Sequence, residues 1–341
     1  MKIGVLTGGG DCPGLNPAIR GIVLRAIELE YEVVGIKEGW KGLIIGDTQP
    51  LTRYDVDEII STGGTILGTS RTNPFKKEGD KDKVLENIKK LGLDCIIAIG
   101  GEDTLGVAEK LYQLGVKVVG VPKTMDNDLS CTDYTFGFDT SVTAAVEALE
   151  RLRDTGRSHR RIMVLEVMGR YAGWVALFTG IAGGADWILI PEIPVNLDKM
   201  CEHLKKLRQR GKLYALVVIS EAVELPGITD QGQEKDAFGH VILKEKGVGE
   251  KLAAEIEKKT GFETRVSVIG HMQRGGSPTV FDRILGTRVG VKAVDLIANQ
   301  EFGQMACLKG NEIESVPLKE AVAEIKMVTE QWCKLAQTLF K

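Results

Sequence analysis

Short apolar runs alternate along this chain with glycine-bearing polar loops and with longer stretches of helical spacing. Ile3–Thr7 is the first run, and after a loop Ala18–Glu30 places Ile19, Ile22, Val23, Ala26 and Ile27 on one helical face. Asp94–Ile99, followed by the helical Leu105–Leu114, repeats the pattern, and Lys117–Val121 adds a third strand. Ile162–Val167, Trp187–Ile190, Tyr214–Ser220 and Val266–Ile269 continue it. Short buried strands separated by helices predict parallel sheet with helices on both faces, wound by right-handed crossovers. Spread over so much chain, these strands predict two similar α/β domains rather than one. Asn73–Lys83 and Pro226–Lys246 read as polar surface loops. In Leu318–Lys341, Val322, Ile325, Val328 and Trp332 recur at helical spacing and predict a packing face.

The chemistry lies in the loops that leave the strands. Thr7 leads into Gly8-Gly9-Gly10-Asp11-Cys12-Pro13-Gly14-Leu15-Asn16, and Ile99 into Gly100-Gly101-Glu102-Asp103-Thr104. Val121 leads into Pro122-Lys123-Thr124-Met125-Asp126-Asn127-Asp128, and Val167 into Met168-Gly169-Arg170. Ser220 is followed by Glu221, and Ile269 by Gly270-His271-Met272-Gln273-Arg274-Gly275-Gly276. Open parallel sheets bind ligands outside the carboxyl ends of their strands, so six such ends carrying glycine or charge predict one site. The first loop lacks the Gly-Lys-Ser/Thr ending of a Walker A motif, and Pro13 stands where a dinucleotide fingerprint needs its third glycine. Its bare glycine N–H groups still suit a phosphate at a helix N-terminus.

Glu102, Asp103, Asp126 and Asp128 end strands that read as neighbours, and carboxylates gathered so closely call for a balancing cation. Oxygen donors beside phosphate suit Mg²⁺. Phosphoryl transfer needs a carboxylate for the acceptor's proton, a metal, and cations on the phosphate oxygens. Asp126 as base, Glu102 on the metal, and Lys123 with Arg71 supplying positive charge fill those places. Arg161, Arg170, Arg265 and Arg274 cluster at or beside strand ends in the second half, with Glu221 and His271. Guanidinium forks match phosphate, and the other two suit sugar hydroxyls, which describes a phosphosugar pocket.

Composition narrows the alternatives. Among 341 residues, 44 Lys and Arg against 47 Asp and Glu leave a net charge of −3, which argues against a nucleic-acid coat or a polybasic membrane anchor. The longest uncharged apolar run, Tyr171 to Ala185, is too short and glycine-rich to span a bilayer, and a strand starting at Ile3 leaves no room for a signal peptide. Six scattered cysteines without a CxxC spacing predict reduced thiols and a cytoplasmic protein, and four dispersed histidines argue against zinc. The 41 glycines, about 12% against a usual ~7%, belong in turns where backbone approaches something closely.

At these motifs, together with Met168-Gly169-Arg170-Tyr171-Ala172-Gly173 and the continuation Ser277-Pro278, the sequence resembles the phosphofructokinase family from Met1 to about Ile297. The resemblance implies two three-layer α/β/α (Rossmann-like) domains with fructose 6-phosphate bound between them. It places a phosphoryl-donor domain at 1–138 plus about 255–305, and a sugar-phosphate domain at 139–254 plus about 306–341. It implies Asp126 as the base on the sugar's 1-hydroxyl, with Thr124, Asp126, Asp128, Met168, Gly169, Arg170, Glu221, His271 and Arg274 around the sugar phosphate. Gly9, Arg71, Gly101 and Thr104 fall on the donor side, with Glu102 as the Mg²⁺ ligand. Arg161 and Arg265 would enter a neighbouring subunit's site, which implies a homodimer or homotetramer.

The donor is decided at two positions. ATP-using members usually read Gly-Gly-Asp-Gly-Ser and Gly-Thr-Ile-Asp-Asn-Asp where this chain has Asp103 in place of a glycine and Lys123 before Thr124. Both departures are similar to the pyrophosphate-dependent branch. A carboxylate at 103 would occupy the volume of a nucleotide's α-phosphate and repel its charge, while Lys123 would stabilise charge on the transferred phosphoryl. The expected activity is therefore reversible, Mg²⁺-assisted transfer from pyrophosphate to fructose 6-phosphate, and the alternative is an ATP-dependent enzyme with the same sugar site. A non-catalytic sugar-phosphate sensor would be expected to lack Asp126 or the metal carboxylate, and a nicotinamide dehydrogenase would need a glycine fingerprint this chain lacks.

Overall fold

The structure, a computed structural model, describes residues 1–226 and 247–339. Its strands are β1 (Lys2–Thr7), β2 (Glu32–Ile36), β3 (Thr48–Leu51), β4 (Cys95–Gly100), β5 (Val118–Pro122), β6 (Ile162–Val167), β7 (Trp187–Leu189), β8 (Ala215–Ser220), β9 (Thr264–Val268), β10 (Gln304–Lys309) and β11 (Glu312–Pro317). They form two sheets, one of seven strands in the order β11-β10-β5-β4-β1-β2-β3 and one of four in the order β7-β8-β6-β9. The smaller sheet is wholly parallel. In the larger one only the outermost strands, β3 and β11, run antiparallel to their neighbours.

Strand periodicity explains the three layers. In β4, Cys95, Ile97 and Ile99 face one apolar cluster while Ile96 and Ala98 face the opposite one, and all are buried. In β6, Met163, Leu165 and Val167 face one cluster, Ile162 and Val164 the other. Both sheets are thus sandwiched between helices, which is why their strands read as continuous apolar runs. The helices Leu15–Glu28 and Val280–Ala298 lie against one face of the larger sheet. They approach closely because Gly290 leaves no side chain in the way: a Cβ there would lie against the Ala18 carbonyl.

The sheets divide the chain differently from the expected boundaries. Thr264–Val268, assigned to the donor domain, pairs with β6 in the smaller sheet. The chain then returns through Val280–Ala298, and β10 and β11, assigned to the sugar-phosphate domain, extend the larger sheet beyond β5. The reason is burial on both faces. Met305 and Cys307 fill one apolar cluster of the larger sheet, and Ala306 and Leu308 fill the other.

The C-terminal packing face is also interrupted. Among the described residues of this stretch, helix forms only at Leu318–Ala321 and Glu330–Leu339. Between them the backbone bonds elsewhere: Ile325 bridges Leu129, the Lys326 N–H donates to the Asp128 carbonyl at 2.8 Å, and the Val328 N–H donates to Glu192 at 3.0 Å. Asn73–Lys83 is a loop that turns into the helix Asp80–Leu91. The polar stretch 227–246 lies outside the described residues.

Candidate active site

Because β1, β4 and β5 are parallel neighbours, their carboxyl ends deliver the first three loops to one place. β6 and β8 deliver the Met168 loop and Glu221 from the smaller sheet, and a short 3-10 helix at Gly270–Arg274 follows β9. The loops enclose a cleft of about 320 Å³ lined from both sheets. Gly9, Arg71, Gly101, Glu102, Asp103 and Thr104 line its larger-sheet side, with Lys123, Thr124 and Asp126 at its floor. Met168, Arg170, Glu221, His271 and Arg274 face them.

Individual contacts give the cleft its chemistry. Asp126 is only 7% exposed, and its Oδ2 accepts a 3.4 Å hydrogen bond from the Thr124 hydroxyl. Its Oδ1 is buried without a hydrogen-bond partner among the described residues. Such an atom is costly unless a ligand donates to it. Lys123 is 4% exposed and donates to the Gly10 carbonyl. Burial pushes its ammonium pKa down from the ordinary lysine value. Arg274 donates to the Asp11 carbonyl at 3.0 Å and explains Gly10, where a Cβ would stand 2.5 Å from Nη1 of Arg274.

Asp103 lies in the first turn of the helix Glu102–Gln113 and meets Arg170 across the cleft, Oδ2 to Nη2 at 3.3 Å. This ion pair joins the larger-sheet and smaller-sheet sides. Glu221 accepts from the Gly169 and Arg170 N–H groups at 3.2 Å each, so it fixes the loop after β6. Burial, then the charge of Asp126, raises its pKa. Asp128 and Gly169 are not among the residues that line the cleft. Asp128 is pushed up to about 6, first by burial and then by the neighbouring Asp126 charge, with Arg170 opposing.

Arg161 and Arg265 are not in the cleft. Arg161 precedes β6, and the register Met163↔Arg265 puts both arginines toward the amino end of the smaller sheet, opposite the loops. There Arg161 pairs with Glu263 at 2.8 Å, and Arg265 pairs with Glu263 and, at 3.7 Å, with Glu257. Arg170 and Arg274 line this chain's cleft, and Arg161 and Arg265, expected to enter a neighbouring subunit's site, do not. Their nearness to strands in sequence did not distinguish the two ends of a parallel strand.

The sequence reading also missed lining residues. Glu166 reaches the cleft from inside β6 and accepts from the Gly249 N–H at 2.7 Å. Its signal was a lone carboxylate within an otherwise apolar strand. Gln273, fully buried, accepts from the Met168 N–H at 2.9 Å and donates to the Ser141 hydroxyl at 3.0 Å, so it ties the Gly270–Arg274 turn to the Met168 loop.

Fold and cleft together define a two-sheet α/β protein with a carboxylate, lysine and arginine crevice suited to a phosphate-rich ligand. Residues 2–297 match the phosphofructokinase family model, and the chain belongs to that family. It is 56% identical over 343 residues to the pyrophosphate–fructose 6-phosphate 1-phosphotransferase of Dictyoglomus thermophilum, covering 100% of this chain and 99% of that one. It is 47% identical over 337 residues to ATP-dependent 6-phosphofructokinase 3 of Bacteroides thetaiotaomicron, covering 97% and 95%. The pyrophosphate-dependent phosphofructokinase structure from Marinobacter aquaeolei superposes with a TM-score of 0.83 at 23% identity, over 100% of this chain and 92% of that one, and supports the fold.

Proposed function

We propose that this chain is a diphosphate–fructose-6-phosphate 1-phosphotransferase, a reversible pyrophosphate-dependent 6-phosphofructokinase. The observation that carries the donor assignment is Asp103 on the cleft wall, with Lys123 at its floor beside Asp126. A nucleotide's α-phosphate would have to share its volume with the Asp103 carboxylate.

In this reading the unpartnered Oδ1 of Asp126 takes the proton of the sugar's 1-hydroxyl. The 1-oxygen bonds to the nearer phosphorus of diphosphate, the bridging P–O bond breaks, and phosphate leaves. Lys123 and Arg71 stabilise the charge on the transferred phosphoryl, and glycine N–H groups of the Gly9 and Gly101 loops, with Thr104, hold the donor. Thr124, Asp128, Met168, Gly169, Arg170, Glu221, His271 and Arg274 shape the sugar-phosphate side.

Among the described residues no three His, Cys, Asp or Glu side chains gather as a metal cage. Mg²⁺ needs no such cage, since it takes one or two carboxylates and completes its shell with water and phosphate oxygens. Glu102 at the cleft would hold it, and the ion when bound would neutralise charge on the diphosphate oxygens.

We assign donor binding to the domain built on the seven-stranded sheet and sugar binding to the domain built on the four-stranded one. Among the described residues no helix is long and apolar enough to cross a membrane. All six cysteines are free, which suits a reducing, cytoplasmic setting.

The arginines at the far end of the smaller sheet fit a homo-oligomer in which Arg161 and Arg265 complete a neighbour's sugar-phosphate site. Arg161→Ala is then expected to raise the KM for fructose 6-phosphate by about tenfold to a hundredfold, the value of a charged hydrogen bond to phosphate. Initial rates at fixed diphosphate read it, and an unchanged KM would remove Arg161 from the site.

The donor itself is tested by initial rates with fructose 6-phosphate, Mg²⁺ and either diphosphate or ATP at equal concentration. Strong preference for diphosphate supports the assignment. Preference for ATP keeps the fold and the Asp126 base and overturns the donor.

A further inference from the structure

The loop that carries Asp126 and Asp128 is held in an unfavourable shape. Asn127 has φ 53° and Cys131 φ 63°, both left-handed without being glycine, and such residues persist only where surroundings enforce them. The Thr135 N–H holds Asn127 Oδ1 from within the loop at 3.1 Å, and the rest of the enforcement comes from segment 324–328, between the last two helices. The Ser130 hydroxyl donates to the Glu324 carbonyl at 2.7 Å. Lys326 then spends all three ammonium protons on the loop: Asn127 Oδ1 at 3.0 Å, the Thr132 carbonyl at 2.8 Å and the Asp133 carbonyl at 3.0 Å.

The same residue reaches the other domain. Its carbonyl accepts from Trp174 Nε1 at 2.8 Å, and its ammonium lies 5.6 Å from the centre of the Trp174 ring. Two residues on, the Val328 N–H donates to the Glu192 Oε1 that also accepts from the Gly173 N–H at 2.9 Å. Trp174 and Gly173 directly follow the Met168–Ala172 loop of the sugar side. One short segment therefore ties the base-carrying loop to the sugar-phosphate loop, and Lys326 is its central contact.

We propose that Lys326 is a positioning residue that holds the Asp126–Asp128 loop in its working geometry against the sugar-phosphate domain. It acts through Asn127 and the loop carbonyls and does not line the cleft. The proposal rests on Asp126 being the proton acceptor.

Charge matters to this arrangement. An ammonium donates three hydrogen bonds, a neutral amine two, so deprotonation must release one of the three acceptors. Burial pushes Lys326 down to about 8, with the Asp133 and Asp128 carboxylates opposing and Lys309 adding slightly to the shift. The sign separates positioning from simple stability. A lysine depressed in the fold is neutral there while still protonated in the unfolded chain, so between about 8 and the ordinary 10.5 its titration makes the fold more stable as pH rises. Lys326's own titration therefore does not destabilise the fold across that limb, so activity lost there at an unchanged melting temperature reports geometry.

The test is kcat against pH for the wild type, Lys326→Met and Lys326→Arg, with melting temperatures beside it, using whichever donor supports wild-type turnover. A wild type inactive with diphosphate refutes the donor, and a fully active Asp126→Asn variant refutes the base; neither result depends on Lys326. Lys326→Met is expected to lower kcat about tenfold to a hundredfold with little change in KM for fructose 6-phosphate, as for a reacting group displaced by a fraction of an ångström to an ångström. Lys326→Arg, charged throughout, should recover most of the rate and move the alkaline limb upward. A kcat for Lys326→Met within about threefold of wild type would overturn the proposal. So would an alkaline limb identical in the wild type and Lys326→Arg, and this second reading survives if the Met variant fails to fold.

Discussion

Asp126→Asn is expected to reduce kcat by about a hundredfold to ten-thousandfold in both directions of the reaction, the range for loss of a general base, while KM for fructose 6-phosphate changes little. The substitution keeps the shape of the side chain, and the Thr124 hydroxyl can still donate to the remaining amide oxygen. What disappears is the buried, unpartnered Oδ1 acceptor. The fold should not suffer. Asp128 is held up to about 6 partly by the Asp126 charge, so removing that charge relieves a repulsion and the melting temperature should hold or rise.

The pH profile of the wild type adds a second reading. A carboxyl raised in the fold from 3.8 to about 6 is protonated natively while the unfolded chain is already ionised, so the fold loses stability as pH rises through that window and regains it on acidification. Wild-type activity should nevertheless fall as pH drops through about 6, when Asp128 takes up a proton and the sugar-phosphate side loses the carboxylate charge that faces Arg170. Acid inactivation accompanied by an unchanged or higher melting temperature near that pH is the expected signature. Residual kcat of Asp126→Asn within about threefold of wild type would show that another group accepts the proton.

The sequence made this centre legible because parallel α/β topology fixes where strand ends go. Glu102, Asp103 and Asp126 were placed together by the rule that consecutive strands separated by a helix lie side by side, and β4 and β5 do pair. The edges were not legible for the same reason. β2 and β3 are short, and long stretches of chain separate β9 from β6 and β10 from β5, so local pattern carries no record of which sheet receives them. Arg161 and Arg265 needed strand direction as well as strand existence. Lys326 was hidden most completely: helical spacing through Val322, Ile325 and Val328 pointed to a helix, whereas its backbone bonds are taken by Asp128 and Trp174 from distant parts of the chain.

Asp103→Gly is expected to shift donor preference toward ATP, measured as the ratio of kcat/KM for ATP to that for diphosphate. Two unit charges about 4 Å apart at an effective dielectric of ~20 repel by about 4 kcal/mol, which bounds the gain from removing the carboxylate. The structure lowers that bound, because Arg170 sits 3.3 Å from Asp103 and the two side chains, 27% and 22% exposed, partly neutralise each other and are screened by water. It also adds a contribution of the same sign. Without Asp103, Arg170 loses its cross-cleft partner and becomes a cation available to the phosphates of a nucleotide, and the glycine opens the volume the α-phosphate requires. Together these predict a change in the ratio of about a hundredfold, less than charge repulsion alone allows at its upper end. Arg170→Ala in the Asp103→Gly background separates the two contributions: part of the gain should vanish if the freed guanidinium matters, and all should remain if only repulsion and volume count. A ratio that moves by less than about threefold in Asp103→Gly would leave Lys123, buried at the floor and bonded to the Gly10 carbonyl, as the residue on which donor choice turns.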